Sequence, residues 1–413
     1  MNIPKLRFKD NNGNDYPQWE KKKLGDTLLI QRGGSPRPIS DYITNDKNGL
    51  NWIKIGDCSP NSNIITSTKE KIKPEGLSKT REVFVGDLIL SNSMSFGRPY
   101  ILNINGCIHD GWLLLRNMKK IYDLQFLCYI LGSEYIIKQY KKLAAGSTVN
   151  NLNKDLVSSV IINIPQLKEQ EKIAKFITTV DKKIENLKNT ITSLENQKKG
   201  LLQQIFSQKL RFKDKNGNNY PNWEKKKLGD ISDITKLAGF EFTEYVTYQN
   251  HGNIIALRGL NIKNNKLDLS DVKYIDNSDF NKLSRSKLYI NDLLFTYVGT
   301  IGEVALINQN NKYYLAPNVC RIRPHECINA MYLLCLFNSN IIRKEINIYL
   351  TKSSQPALSM ENIRKFKILV PCLEEQTKIA DFLSAFDHKL DNQKAQLEHW
   401  QQIKKGLLQQ MFV

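Results

Sequence analysis

Three groups of side chains have types and spacings that chemistry could use. Glu20–Lys22 and Glu224–Lys226 are E-x-K triplets, the acid–lysine portion of a metal-dependent nuclease site. Neither has the upstream acidic partner such a site needs, so solvated surface charge is the simpler reading. His325-Glu326-Cys327 sets three metal-ligating residue types side by side, but no second cluster accompanies it and a turn is the simpler reading. The third group is cationic and sits on Gly- and Ser-bearing loops. It comprises Arg32 and Arg37 in Gln31-Arg32-Gly33-Gly34-Ser35-Pro36-Arg37, Lys79 and Arg81 in Ser78-Lys79-Thr80-Arg81, Arg98 in Ser95-Phe96-Gly97-Arg98, and Arg285 and Lys287 in Ser284-Arg285-Ser286-Lys287. Lys54 and Arg258 occupy equivalent places at an offset of 204, and Lys263 follows nearby. Such cations suit phosphate contacts and bidentate reading of guanine edges. For any one of them, ordinary surface charge is the competing reading.

Most enzyme sites are missing. There is no GxxxxGK[ST] loop, GxGxxG turn, HExxH or GxSxG, and no [DN]PP[YF] loop of an amino-methylating enzyme. Seven cysteines, at 58, 107, 128, 320, 327, 335 and 372, form no CxxC pair, and five histidines offer little help, which argues against a disulfide scaffold and a zinc site. No metal or cofactor is expected in this chain. Sixty basic against 41 acidic residues give a net charge of +19, the balance of a protein with a polyanionic partner. The excess is +8 in residues 1–165, +3 in 166–207, +9 in 208–371 and −1 in 372–413. No run of about 18 apolar residues appears, and MNIPKLRFKD lacks the apolar core of a secretion signal, so a cytosolic location is expected.

The elements that must position these cations are written twice. Lys5–Asp26 and Lys209–Asp230 agree at 19 of 22 positions. Asp87-Leu88-Ile89-Leu90 with Gly97 matches Asp292-Leu293-Leu294-Phe295 with Gly302, and Arg116 falls on Arg321, all at an offset of 205. Pro165, Glu169-Gln170, Ile173-Ala174, Phe176 and Asp181 recur 206 residues later, and KKGLLQQ closes each copy. Copies that agree at their ends and differ in their middles should share a framework and do two different jobs of one kind. The repeated Tyr16-Pro17-Gln18-Trp19 and Tyr220-Pro221-Asn222-Trp223 therefore read as packing rather than base stacking.

The middles are mixed α/β, with short apolar runs at Trp52–Ile55, Val83–Leu90, Tyr289–Val298 and Val304–Ile307 and helical stretches near 123–142 and 328–348. The ends are heptad seams. Ile177, Ile184, Leu187, Ile191 and Leu194 mark the first, with Lys198 at a seam position. Leu383, Phe386, Leu390, Leu397 and Trp400 mark the second, with Gln393 and Lys404 in its gaps. Each helix would be roughly 60 Å long. Chain economy favours antiparallel pairing, with the chain's two ends brought together. The expected fold is α+β: domains at 1–165 and 208–371, long spacer helices at 166–207 and 372–413, and the two mixed α/β domains separated by an antiparallel coiled coil.

Together these features resemble the specificity subunit of type I restriction-modification systems, over essentially the whole chain. The most specific match is P-x-L-x-E-Q-x-K-I-A at Pro165–Ala174 and again at Pro371–Ala380; WEKKKLGD and the DLIL/DLLF motifs agree, as do Gly146-Ser147-Thr148 and Ser353-Ser354-Gln355. Val149-Asn150 departs from the Gln-Pro seen at Gln355-Pro356. The resemblance implies a non-catalytic protein whose two target-recognition domains each read half of a bipartite, asymmetric double-stranded DNA site. It implies helices that set the spacing and dock two methyltransferase subunits, with motor-nuclease subunits joining and no homo-oligomer required. S-adenosylmethionine, ATP and Mg would belong to those partners. Three other readings stay open: a stand-alone DNA-binding regulator shaped as a covalent pseudo-dimer, a structural coiled-coil spacer, and an enzyme in its own right.

Overall fold

The computed structural model describes residues 4–59, 62–92, 97–144, 151–350 and 356–412. The chain folds into two compact units, one built from Met1–Asn189 with Lys394–Val413 and the other from Thr190–Gln393.

In the first unit, strands Leu29–Arg32, Trp112–Arg116, Leu88–Ser91, Pro99–Leu102 and Ile64–Ile65 form one sheet in that order. A second sheet is ordered Ile43–Thr44, Glu70–Ile72, Leu50–Ile53, Gly106–Ile108, Arg81–Val83. Leu88–Ser91 is buried along its whole length because both its faces are covered. Leu88 and Leu90 join the core under the helices, while Ile89 points the other way, to Ile53, Val83 and Trp112. The second unit repeats the scheme with Ser232–Lys236, Val319–Pro324, Leu293–Thr296 and Val304–Leu306. Leu293 and Phe295 face one core and Leu294 the other. The long apolar runs are broken by turns: Val83–Leu90 divides at Gly86, whose φ of +89° suits glycine, and only Leu293–Thr296 of Tyr289–Val298 is a strand.

The recurring aspartate closes that turn. Asp87 Oδ2 accepts from the Phe84 amide at 2.8 Å, and both its oxygens accept from Arg116, at 2.8 and 2.6 Å. Asp292 does the same with Tyr289 and, at 2.6 and 2.7 Å, with Arg323. Arg116 therefore corresponds to Arg323, and the sequence match to Arg321 is corrected by two residues. The strand register agrees, since Leu88 opposes Leu115 and Leu293 opposes Ile322. The extra two residues lie in the loop 308–312, where the first copy has only 103–105.

The helical stretches are each two helices. Leu124–Leu131, capped by Asp123, breaks at Gly132-Ser133 before Glu134–Ala144. Ala330–Phe337, capped by Asn329, breaks at Asn338-Ser339 before Asn340–Tyr349. The long helices are continuous over Leu167–Phe206 and Leu373–Met411. Seam residues Ile177, Ile184, Leu187, Ile191, Leu194, Leu383 and Leu390 are buried, and Phe386, Leu397 and Trp400 are half-buried.

Each unit is closed by the end of the other copy's helix. In the first, Met411 and Phe412 share a core with Ile173, Ala174 and Ile177, and Lys404 pairs with Asp181 at 2.5 Å, so the helical segments run antiparallel. In the second, Ile205 and Phe206 meet Ile379 and Leu383, and Lys198 pairs with Asp387. The lysines that interrupt the heptads thus each meet the repeated aspartate. The amides of Lys5 and Leu6 donate to the Gln410 carbonyl at 2.9 and 3.3 Å, just as Leu210 donates to Gln204 at 3.1 Å. The segments at Lys5-Leu6 and Gln410 therefore meet in one unit.

The duplicated signature is a clamp. Arg7 Nε and Nη2 donate to Glu169 at 3.0 and 2.8 Å, Trp19 Nε1 donates to the same carboxylate at 3.1 Å, and the Glu169 side chain is fully buried. Arg211, Glu375 and Trp223 repeat this at 2.7, 2.8 and 2.9 Å. Gln170 and Gln376 bind the carbonyls of Pro165 and Pro371, both at 2.9 Å, while Lys172 and Lys378 reach those of Lys9 and Lys213 at 2.8 and 2.6 Å. The verbatim aromatics pack here: Trp19 on Phe126, and Trp223 on Phe206 and Tyr332.

Candidate nucleic-acid interface

The framework places an open cleft at the same position in each unit. In the first, strand Leu50–Ile53 leads through Lys54 into the tight turn Ile55–Asp57, whose Asp57 accepts from the Lys54 amide at 2.8 Å. Lys54, Arg32, Asn92 and the His109-Asp110-Gly111 turn line a cleft of about 550 Å³. Asp110 is its hub: the carboxylate accepts from Ser35 Oγ at 2.9 Å and lies 3.7 Å from Arg37, and its carbonyl accepts from Asn92 at 2.8 Å and Arg32 Nε at 3.4 Å. The Gly33-Gly34 pair allows this approach. A Cβ on Gly33 would lie 2.0 Å from the His109 carbonyl, and one on Gly34 would lie 2.7 Å from that of Lys79. His109 packs beside Trp52 and Trp112, and burial holds its pKa below the usual histidine value despite Asp110.

In the second unit, Arg258 leads into the turn Gly259–Asn261, and Asn261 accepts from its amide at 3.0 Å. Arg258, Thr296, Val298, Pro317 and Asn318 line a cleft of about 600 Å³. One wall is a hairpin of Ile262–Lys263 with Lys266–Leu267, turned by Asn264 and Asn265 at φ of +52° and +65°. Lys263 at its base pairs with Asp268 at 2.8 Å and holds that carboxyl well below the usual range. Lys266 reaches Asp391 at 2.6 Å.

The sequence-selected cations fall into distinct groups. Arg32, Arg37 and Lys54 surround the first cleft, with Lys79 and Arg81 beside the Gly33-Gly34 turn; Arg81 Nε lies 3.5 Å from the Arg32 carbonyl and Lys79 donates to Tyr42 at 2.6 Å. Arg258 and Lys263 line the second cleft. Arg285 and Lys287 lie apart from it, Arg285 on Thr235 at 3.3 Å and Lys287 over the Tyr289 ring. Arg98 sits elsewhere, over Tyr100, in a groove with Tyr129, Asp181 and Lys404. Ser95-Phe96 beside it, Gly146 to Asn150, and Ser353 to Gln355 lie outside the described residues. Four selected cations are ion-paired among the described residues: Arg37 with Asp110, Lys54 with Glu70, Arg258 with Asp271 and Lys263 with Asp268. Sequence reasoning missed Asn92, His109, Asp110 and Asn318. The turn His109-Asp110-Gly111 aligns with Ala316-Pro317-Asn318 only once the two-residue insertion is counted. Among the described residues no group of His, Cys, Asp or Glu could hold a metal ion, and no helix is long and apolar enough to cross a membrane.

The family described as type I restriction modification DNA specificity domain matches twice, over residues 16–196 and 220–399. The chain is 24% identical over 427 residues to the type I restriction enzyme MjaVIII specificity subunit of Methanocaldococcus jannaschii, covering 97% of this chain and 94% of that one. It is 26% identical to the EcoKI specificity subunit of Escherichia coli over 282 residues, 64% of this chain and 59% of that one. The fold resembles the S subunit of a type I restriction-modification system from M. genitalium, with a TM-score of 0.58 at 16% identity over 100% and 99% of the two chains. It also resembles a chain from a structure describing assembly and conformational transition of the type I R-M system, with a TM-score of 0.61 at 16% identity over 96% and 98%.

Proposed function

From the premise that this chain belongs to the type I restriction-modification DNA specificity family, and is a non-catalytic specificity subunit with two target-recognition domains, we propose that each middle reads one half of a bipartite, asymmetric DNA site through the cleft in its unit. The observation that carries this is the pairing of near-identical frameworks with differently lined clefts. Beside the equivalent Lys54 and Arg258, the first cleft is lined by Arg32, Asn92 and His109 and the second by Thr296, Val298 and Asn318. Repeated scaffolds with unlike clefts suit two half-sites of different sequence. Arg37, Lys79, Arg81 and Lys263 flank the clefts as phosphate or base contacts, with Arg285 and Lys287 as further contacts in the second unit. Arg98, in the groove with Tyr129, Asp181 and Lys404, is a further contact in the first unit.

In this reading residues 1–165 and 208–371 are the recognition domains, and 166–207 and 372–413 are spacer helices that fix the gap between half-sites. The helices also dock two methyltransferase subunits, motor-nuclease subunits join that complex, and S-adenosylmethionine, ATP and Mg are held by those partners in the cytoplasm. Methylation mapping of the assembled complex tests this. The expected result is two fixed sequence blocks separated by a gap of constant length and unspecified sequence, whereas one continuous motif would overturn it.

A further inference from the structure

The second unit carries a buried cation that has no ion-pair partner among the described residues. Arg321, in the strand Val319–Pro324, is 9% exposed. It donates Nη1 to the carbonyl of Arg285 at 3.1 Å, and its Nε has no partner. Asp292 and Asp233 both act on it, but Asp292 gives its two oxygens to Arg323 at 2.6 and 2.7 Å and Asp233 lies 3.8 Å from His325. The hydroxyl of Ser286, also buried, has no partner. Arg285 itself is exposed and rests on Thr235, which lies opposite Arg321 in the strand register.

Buried charges are ordinarily paired, because an isolated ion in a low-dielectric interior is expensive. Here burial, the neighbouring Arg323 and, to a smaller extent, Arg285 pull Arg321 below the usual arginine range despite Asp292 and Asp233. Among its described residues the first unit has nothing comparable. In the corrected register, Leu114 replaces Arg321 and Gln31 replaces Thr235. Thr80 stands in place of Arg285, and its hydroxyl is already bonded to the Ile108 carbonyl at 2.8 Å. The framework therefore does not require this cluster.

We infer that Arg321 and Arg285 form an anion site in the second unit that takes one phosphodiester of the DNA backbone, with no counterpart in the first unit. The inference rests on the half-site reading above and deepens it: the two recognition domains would hold their DNA with different numbers of backbone contacts.

The test uses the full chain assembled with its methyltransferase subunits and a target duplex carrying one neutral methylphosphonate linkage at a time. One linkage in the half-site read by the second unit should weaken wild-type binding roughly tenfold and cost nothing further in Arg321→Met. That variant should bind unmodified duplex roughly tenfold more weakly, with a salt slope shallower by about 0.9 and an unchanged base preference. Arg285→Ala, on the surface, should reproduce the loss if Arg321→Met folds poorly. A scan with no linkage whose cost vanishes in either variant would overturn the proposal. Inorganic phosphate that raises the melting temperature of the full chain only when Arg321 is present, with no change in the scan, would assign the site to free phosphate and overturn the DNA assignment. Wild-type complex that fails to prefer target over scrambled duplex in the same titration would remove the half-site reading itself, and this site with it.

Discussion

The clamp of Arg7, Trp19 and Glu169 and that of Arg211, Trp223 and Glu375 use the same residue types, the same atoms and nearly the same distances. The clefts share only their backbone plan. Lys54 and Arg258 each precede a three-residue turn closed by the residue at its end, yet one is tied to Glu70 and the other to Asp271, and among the described residues only the second cleft has a hairpin as a wall. Two copies of one gene segment have thus been held to different standards along their length. A buried carboxylate tolerates no change in its partners, whereas a solvent-facing cleft tolerates any lining that keeps the strands in register.

This contrast predicts that framework and cleft substitutions have opposite consequences. Arg7→Met or Arg211→Met strands a fully buried glutamate and should cost about 3–5 kcal/mol of stability, to a similar extent in both units, with no change in which sequence the surviving complex modifies. Chemical denaturation of the two variants checks the equality. A loss confined to one unit would break the symmetry argument.

Cleft substitutions should do the reverse. Lys54→Ala and Arg258→Ala should each cost about 1–3 kcal/mol in DNA binding if they read a base, relax preference in one half-site only, and leave the other half-site untouched. Selection from randomised duplexes distinguishes them. Relaxation in both halves by either variant would contradict one cleft per half-site.

A smaller effect separates the clefts by pH. Burial lowers the pKa of His109 below 6.5, so as pH falls the unfolded chain takes up this proton first. This contribution to stability is present above about 6.5 and is lost as pH falls below that value. Wild type should therefore lose more stability on acidification than His109→Gln, with the difference seen in the melting of the first unit. Parallel pH profiles of the two proteins would show that His109 is not held neutral by its surroundings.

Least change is expected from moving the chain ends. Lys5 and Leu6 already donate to Gln410 as Leu210 does to Gln204. A permutant joined from Val413 to Met1 and opened at Gln208 should fold and direct methylation to the same site.

The duplication, the clamp residues and the heptad seams were legible because each is written twice, and repetition separates signal from composition. The antiparallel closure followed from the same symmetry. The Arg116–Arg321 equivalence was displaced because a two-residue insertion in an exposed loop leaves no mark on the apolar pattern, while the Asp292–Arg323 ion pair depends on it. The ties of Lys54 to Glu70 and Arg258 to Asp271 join residues 16 and 13 positions apart across strands, and no local pattern encodes such pairs. Gly33-Gly34 was visible as a loop, but its cause, the approach of the His109 carbonyl, exists only in three dimensions. Arg98 shared the loop chemistry of the other cations, and only its position sets it apart.

The central claim is that recognition resides in the middles and assembly in the framework. Replacing residues 27–144 by residues 231–350 leaves both clamps and both long helices intact while giving the protein two copies of one cleft. Methylation-site mapping of the assembled chimera should then yield a two-fold symmetric site built from the half recognised by the second unit. A folded chimera that still modifies the original asymmetric site would contradict the account.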